Sequence, residues 1–168
     1  MHTPDHAPEN RSRMRCRRAT GFTMVELMAA IVIAGILAAV AAPSFSNLIA
    51  SQRAKSIASE LYAALSKARS EAITRNANVS LSPKAGGWQN GWQILDPTNA
   101  SNVLENRGVA SGASVSGPAG VTYQGAGRIQ GSSAPSFVIT PTGGSTSVYQ
   151  CISIDLSGRP YMKAASSC

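Results

Sequence analysis

An apolar run of 21 residues, Phe22 to Ala42, carries a single charge, Glu26, and constrains this 168-residue chain more than any other feature. At about 1.5 Å per residue such a run spans about 30 Å as a helix, the hydrocarbon thickness of a bilayer. The segment before it is polar and basic, with Arg11, Arg13, Arg15, Arg17 and Arg18 and no apolar stretch of its own. A secretory signal peptide places its apolar part ahead of the cleavage point and so loses it. A cut after Gly21 would instead leave the apolar helix on the mature chain, which would begin at Phe22.

Glu26 needs a physical reason to be there. A carboxylate at mid-membrane costs about 2.5–3.5 kcal/mol, so it is rarely found without a partner. The nearest cation on a processed chain would be the free amine of Phe22, its own or that of a neighbouring subunit. The alternative is an acid in the first helical turn, favoured by the helix dipole and reaching back to the interface.

The Gly21–Phe22 junction, the acid at Glu26 and Pro43 at the end of the run resemble the prepilin signal of type IV pilins and type II secretion pseudopilins. The resemblance implies removal of residues 1–21 by a prepilin peptidase, N-methylation of Phe22, and a role for Glu26 in assembly. It implies a single-pass protein of the bacterial inner membrane with a cytoplasmic N-terminus and a periplasmic C-terminal domain, later incorporated into a pilus or pseudopilus. The implied partners are other major and minor pilins or pseudopilins, the peptidase, an inner-membrane assembly platform, and membrane lipid before assembly. Met1 and Met14 are both possible starts.

The net charge of +7 reads differently once the leader is set apart. Residues 22–168 retain ten cations against six acids, and the leader arginines fit the positive-inside rule better than nucleic-acid binding. Cys16 falls in the leader, which leaves Cys151 and Cys168 in the part expected to face an oxidising compartment. A disulfide closing that loop would stabilise by about 3 kcal/mol on the chain-entropy account. Two buried thiols or a metal site are the competing readings, although no metal-ligand spacing is present.

Beyond Pro43, which should kink the helix, the pattern becomes amphipathic. Ile57, Leu61, Leu65, Ala68 and Ala72 recur at helical spacing, and Arg53, Lys55, Glu60, Lys67 and Arg75 supply most of the polar face. Asn76, Asn78 and Pro83 break that periodicity. Strands are predicted at Val79–Ser82, Trp92–Leu95, Val121–Gln124, Ser136–Thr140, Val148–Asp155 and Pro160–Lys163, separated by turn-rich pieces. The expected fold is α+β: a long, kinked N-terminal helix packed on one small antiparallel sheet. Its parts are a leader (1–21), a membrane and assembly helix (22–42), an amphipathic continuation (43–76) and a β-rich domain (77–168).

The segments Leu61–Leu81, Gly87–Leu95 and Cys151–Lys163 are similar to the FimT/GspH branch of the pilin-like families. That resemblance implies a minor pilin or pseudopilin that helps initiate or complete a filament. FimT-type pilins that bind DNA carry a Gly-Arg-x-Arg tail. Gly158 and Arg159 match it here, while Tyr161 stands at the second arginine and Lys163 is the next cation. A DNA-capturing tail built from Arg159, Tyr161, Lys163 and nearby Arg128 is the alternative function, set against a turn glycine with a solvated arginine.

Enzymatic chemistry finds few groups to work with. Both histidines, His2 and His6, lie in the leader, and no G-x-S-x-G elbow or paired carboxylates occur. No cofactor or metal is expected. The indoles of Trp88 and Trp92 are read as packing groups, each with its N–H on a carbonyl, in preference to a ligand-stacking surface.

Overall fold

The computed structural model describes residues 21–143 and 148–168. One long helix, α1 (Met24–Arg75), is followed by eight strands: β1 (Val79–Lys84), β2 (Gly87–Leu95), β3 (Val103–Asn106), β4 (Ala113–Ser116), β5 (Val121–Tyr123), β6 (Ser136–Pro141), β7 (Gln150–Ile154) and β8 (Pro160–Lys163). The chain divides into two units, one ending at Ala38 and one running from Ala39 to Cys168. Position 43 lies inside α1, with helical backbone on either side.

Both ends of α1 are closed by local chemistry. Thr23 caps the start, as described below. At the other end Asn76 takes a positive φ of 48°, a conformation asparagine tolerates better than most residues. The Ala77 N–H then donates to the Ala72 carbonyl (3.2 Å) and the Asn76 N–H to that of Ile73 (3.2 Å). That pair of bonds is a Schellman motif, and it stops the helix one residue before the expected Asn76 boundary.

The first unit is helical from Met24, and its apolar side chains are exposed: Val25, Met28, Ile31, Val32, Ile36 and Leu37 among them. In the second unit the helix becomes one-sided. Ala54, Ile57, Ala58, Leu61, Ala64, Leu65, Ala68 and Ala72 are buried in the core, including all five positions read from the sequence. Alanines at five of these sites let the strands approach the helix closely.

The β region forms two antiparallel four-stranded sheets, ordered β3-β2-β1-β5 and β4-β6-β7-β8, in place of the single sheet expected. Leu81 lies opposite Ile94 and Val121 in the first sheet, and Phe137 opposite Ile152 in the second, so apolar partners meet across the strands. Trp88 joins the two. Its ring meets Phe137 edge-on at a centroid distance of 4.8 Å, and its indole N–H donates to the Pro118 carbonyl (2.7 Å). Trp92 is fully buried, but its N–H has no partner among the described residues, so only one indole meets the carbonyl expected for it. The Arg107 guanidinium lies 5.5 Å from the Trp92 ring centroid.

Strand β7 is buried on both faces. Cys151 is disulfide-bonded to Cys168, and the Cys168 sulfur sits 3.3 Å from the Phe137 carbonyl oxygen. The C-terminal segment therefore covers the side of β7 that would otherwise face solvent.

The connection after β2 is tied to the helix end. Asp96 accepts from the Thr98 hydroxyl (2.6 Å), the Thr98 N–H (2.9 Å), the Asn102 amide (3.2 Å) and the Arg75 guanidinium (3.1 Å). These donors, Thr98 foremost, lower its pKa from the ordinary 3.8 to about 2. Because the folded value is depressed, the stabilisation is present above the unfolded pKa and is lost as pH falls through the folded one. The urea midpoint of the detergent-solubilised chain should drop towards that of Asp96→Asn between about pH 4 and pH 2. A gap between the two that stays constant over this window would refute the assignment.

Candidate functional site

Gly21 and Phe22 precede the first helical residue, and both are exposed, Phe22 at 81%. The bond between them is therefore in non-helical backbone, the form a peptidase can bind in an extended cleft. Next comes a reciprocal cap. The Thr23 N–H and hydroxyl both donate to Glu26 Oε2 (2.9 Å each), and the Thr23 hydroxyl oxygen accepts from the Glu26 N–H (3.2 Å). This is a capping box, T-x-x-E, and it satisfies donors that a helix start leaves unpaired. Glu26 Oε1 takes no part in it. Neither capping residue is lost by a cut after Gly21, so the mature chain would keep the arrangement.

Helix α1 is the one described helix long and apolar enough to cross a membrane. Its apolar side chains surround Glu26 without covering it. Pro43 lies in the same helix.

At the other end of the chain, the β7–β8 turn is set by Asp155. Its carboxylate accepts from the Ser157 hydroxyl (2.6 Å) and the Arg159 N–H (2.9 Å), which lower its pKa below the usual carboxylate value. Gly158 turns the chain at φ 84°. Its lack of a side chain brings it against the Gly127 carbonyl. Arg69, on α1, holds both loops: its Nε donates to the Gly127 carbonyl (3.0 Å) and its Nη2 to that of Ser157 (3.3 Å).

The glycine contact juxtaposes the loops that carry Arg128 and Arg159, each the residue after a contacting glycine. Both arginines are exposed. Tyr161 and Lys163, on β8, are exposed too, opposite Ser153 and Cys151 of β7. The four candidate contact residues thus fall in two places, a loop pair and a strand face.

Sequence reasoning did not single out Thr23, Arg69, Gly127 or Asp96. The T-x-x-E spacing was a readable signal for the first. Arg69 had none, because its partners are backbone carbonyls 58 and 88 residues away. Among the described residues no group of three metal-ligating side chains could hold a metal ion.

Comparison with known proteins gives two family matches. The family described as Type II transport protein GspH matches residues 58–158, and the Prokaryotic N-terminal methylation motif matches residues 16–42. No curated protein sequence matches. Two crystal structures of the type IV minor pilin FimU from Pseudomonas aeruginosa (strain PAO1) are similar in fold at 23% identity. The P65 form has a TM-score of 0.55 and covers 65% of this chain and 91% of that one. The P21 form has a TM-score of 0.56 and covers 65% and 87%.

Proposed function

Since this chain belongs to the GspH family of type II transport proteins, which places it among the minor pilins and pseudopilins, we propose that it matures by cleavage after Gly21 and assembles through its N-terminal helix into a pilus or pseudopilus. A prepilin peptidase would remove the basic leader and the new amine of Phe22 would be methylated. The protein would wait in the bacterial inner membrane, N-terminus in the cytoplasm and β domain in the periplasm, until an assembly platform extracts it. In the filament, the apolar residues now exposed along Phe22–Val40 would exchange lipid for the helices of other subunits. The role is structural, a matter of packing and register.

The observation that carries this reading is the join of two features in one chain. A methylation-motif helix, exposed on every side around a capped Glu26, leads into a domain of the GspH type. A soluble domain gains nothing from leaving so long an apolar surface uncovered. Filament entry would let Glu26 Oε1 meet a neighbour's amine while Oε2 keeps its cap.

Intact-mass analysis of the protein from cells with a working prepilin peptidase should find a chain that starts at monomethylated Phe22. A chain still starting at Met1 or Met14 in such cells would end the proposal.

A further inference from the structure

Where α1 ends against the β7–β8 turn, two aliphatic side chains stand uncovered on the folded domain. Ile73 is 51% exposed and Leu156 41% exposed. They belong to one surface. A methyl group on Gly127 would sit 2.7 Å from Ile73 Cδ1, Gly127 packs on Gly158, and the Ile129 N–H donates to the Leu156 carbonyl (3.4 Å). Arg128 and Arg159 border the same loops. Arg69 fixes the loops from beneath, so the patch is built on rigid backbone.

The charge census says what could cover it. Glu60 pairs with Arg107, Glu71 and Asp96 with Arg75, and Glu105 with Lys67. Asp155 is spent on its own turn, and Glu26 on the helix cap. Every acid among the described residues is thus engaged, whereas neither Arg128 nor Arg159 forms a salt bridge with any of them. A second copy of this chain would have to break an internal pair to match the patch. Nucleic acid would meet the charges but leave Ile73 and Leu156 without a use, since aliphatic groups offer no stacking platform.

We propose that the patch formed by Ile73, Leu156, Arg128 and Arg159 docks a different subunit of the filament, through a surface of that partner that presents carboxylates around apolar side chains. This rests on the filament reading above and adds where the β domain makes its heterologous contact. The aliphatic pair supplies the buried centre and the arginines the rim that selects the partner.

The test uses the full-length chain in cells that build the filament, with a benzophenone amino acid at Ile73 or Leu156, and at Ala85 on the β1–β2 turn as the control. Light should couple positions 73 and 156, but not 85, to a distinct pilin-like subunit, with the adduct mapping beside its carboxylates. The double change Arg128→Glu, Arg159→Glu should cut the adduct about tenfold, and Arg128→Lys, Arg159→Lys should keep it. Adducts with a second copy only, adducts removed by nuclease, or adducts indifferent to charge reversal would each overturn the proposal. So would no adduct at 73 or 156 when the Phe22-started chain is present in filaments, a result that leaves the filament reading standing. A chain that keeps its leader would instead strike at that reading.

Discussion

Gly158→Ala is expected to lower the unfolding free energy of the chain by about 2–4 kcal/mol, measured by urea denaturation in detergent. Two costs add. At φ 84° an L side chain is strained in any surroundings, at about 1–2 kcal/mol. A Cβ would also overlap the Gly127 carbonyl oxygen and lie 3.2 Å from Tyr123 Cε1. The first of these neighbours is backbone, and Arg69 clamps it, so it cannot swing aside as a flexible side chain would.

Gly143 separates the two costs. Its φ is 89°, nearly the same, but no heavy atom of the described residues beyond its chain neighbours lies within 4 Å of the corresponding Cβ. Gly143→Ala should therefore cost only the conformational part, about 1–2 kcal/mol. Equal losses at both positions would mean that the Gly127–Gly158 contact contributes nothing. The larger loss at Gly158 should also come with weaker light-driven coupling at position 156, since the turn that carries Leu156 would shift.

The sequence made the helix easier to read than the sheets. Ile57, Leu61, Leu65, Ala68 and Ala72 repeat at a spacing only a one-sided helix explains, and all five are buried. β3 and β4 were not predicted, for different reasons. β3 is an edge strand whose sequence VLEN has no alternation; it is held by backbone pairing with β2 and by Lys67, which donates to the Leu104 carbonyl and pairs with Glu105. β4 is ASVS, set in a glycine-rich stretch that reads as a turn, and its only large inward side chain is Val115. Two sheets instead of one followed from those missing strands.

The candidate sites divide in the same way. Glu26 was legible as the one charge in an apolar run, and the cap it forms with Thr23 is local, three residues away. The Cys151–Cys168 bridge was legible from compartment and count. Arg128 beside Arg159 was only half legible: both were named as cations, but a glycine–glycine contact across 31 residues of chain set them in adjoining loops. Proximity made by the absence of two side chains leaves little mark on composition or periodicity.

Glu26→Ala should reduce incorporation into filaments by at least about two orders of magnitude, because breaking a buried charge pair costs about 3–5 kcal/mol. Alanine removes two things together, the carboxylate and the acceptor for the Thr23 N–H and hydroxyl. Glu26→Gln pulls them apart. Glutamine serves in a capping box as glutamate does, so the helix start is kept while the charge is lost. If the acid works by meeting a neighbour's amine, the glutamine variant should assemble as poorly as the alanine one, with normal levels of processed protein in the membrane. If the acid only starts the helix, glutamine should assemble like wild type and Thr23→Ala should fail as Glu26→Ala does. The expected order is wild type well above Thr23→Ala, and Thr23→Ala above the two Glu26 variants, since loss of an N-cap costs only about 1 kcal/mol. Quantitative blotting of sheared filaments against membrane-retained protein reads that order directly, and wild-type incorporation of Glu26→Gln would dispose of the charge mechanism.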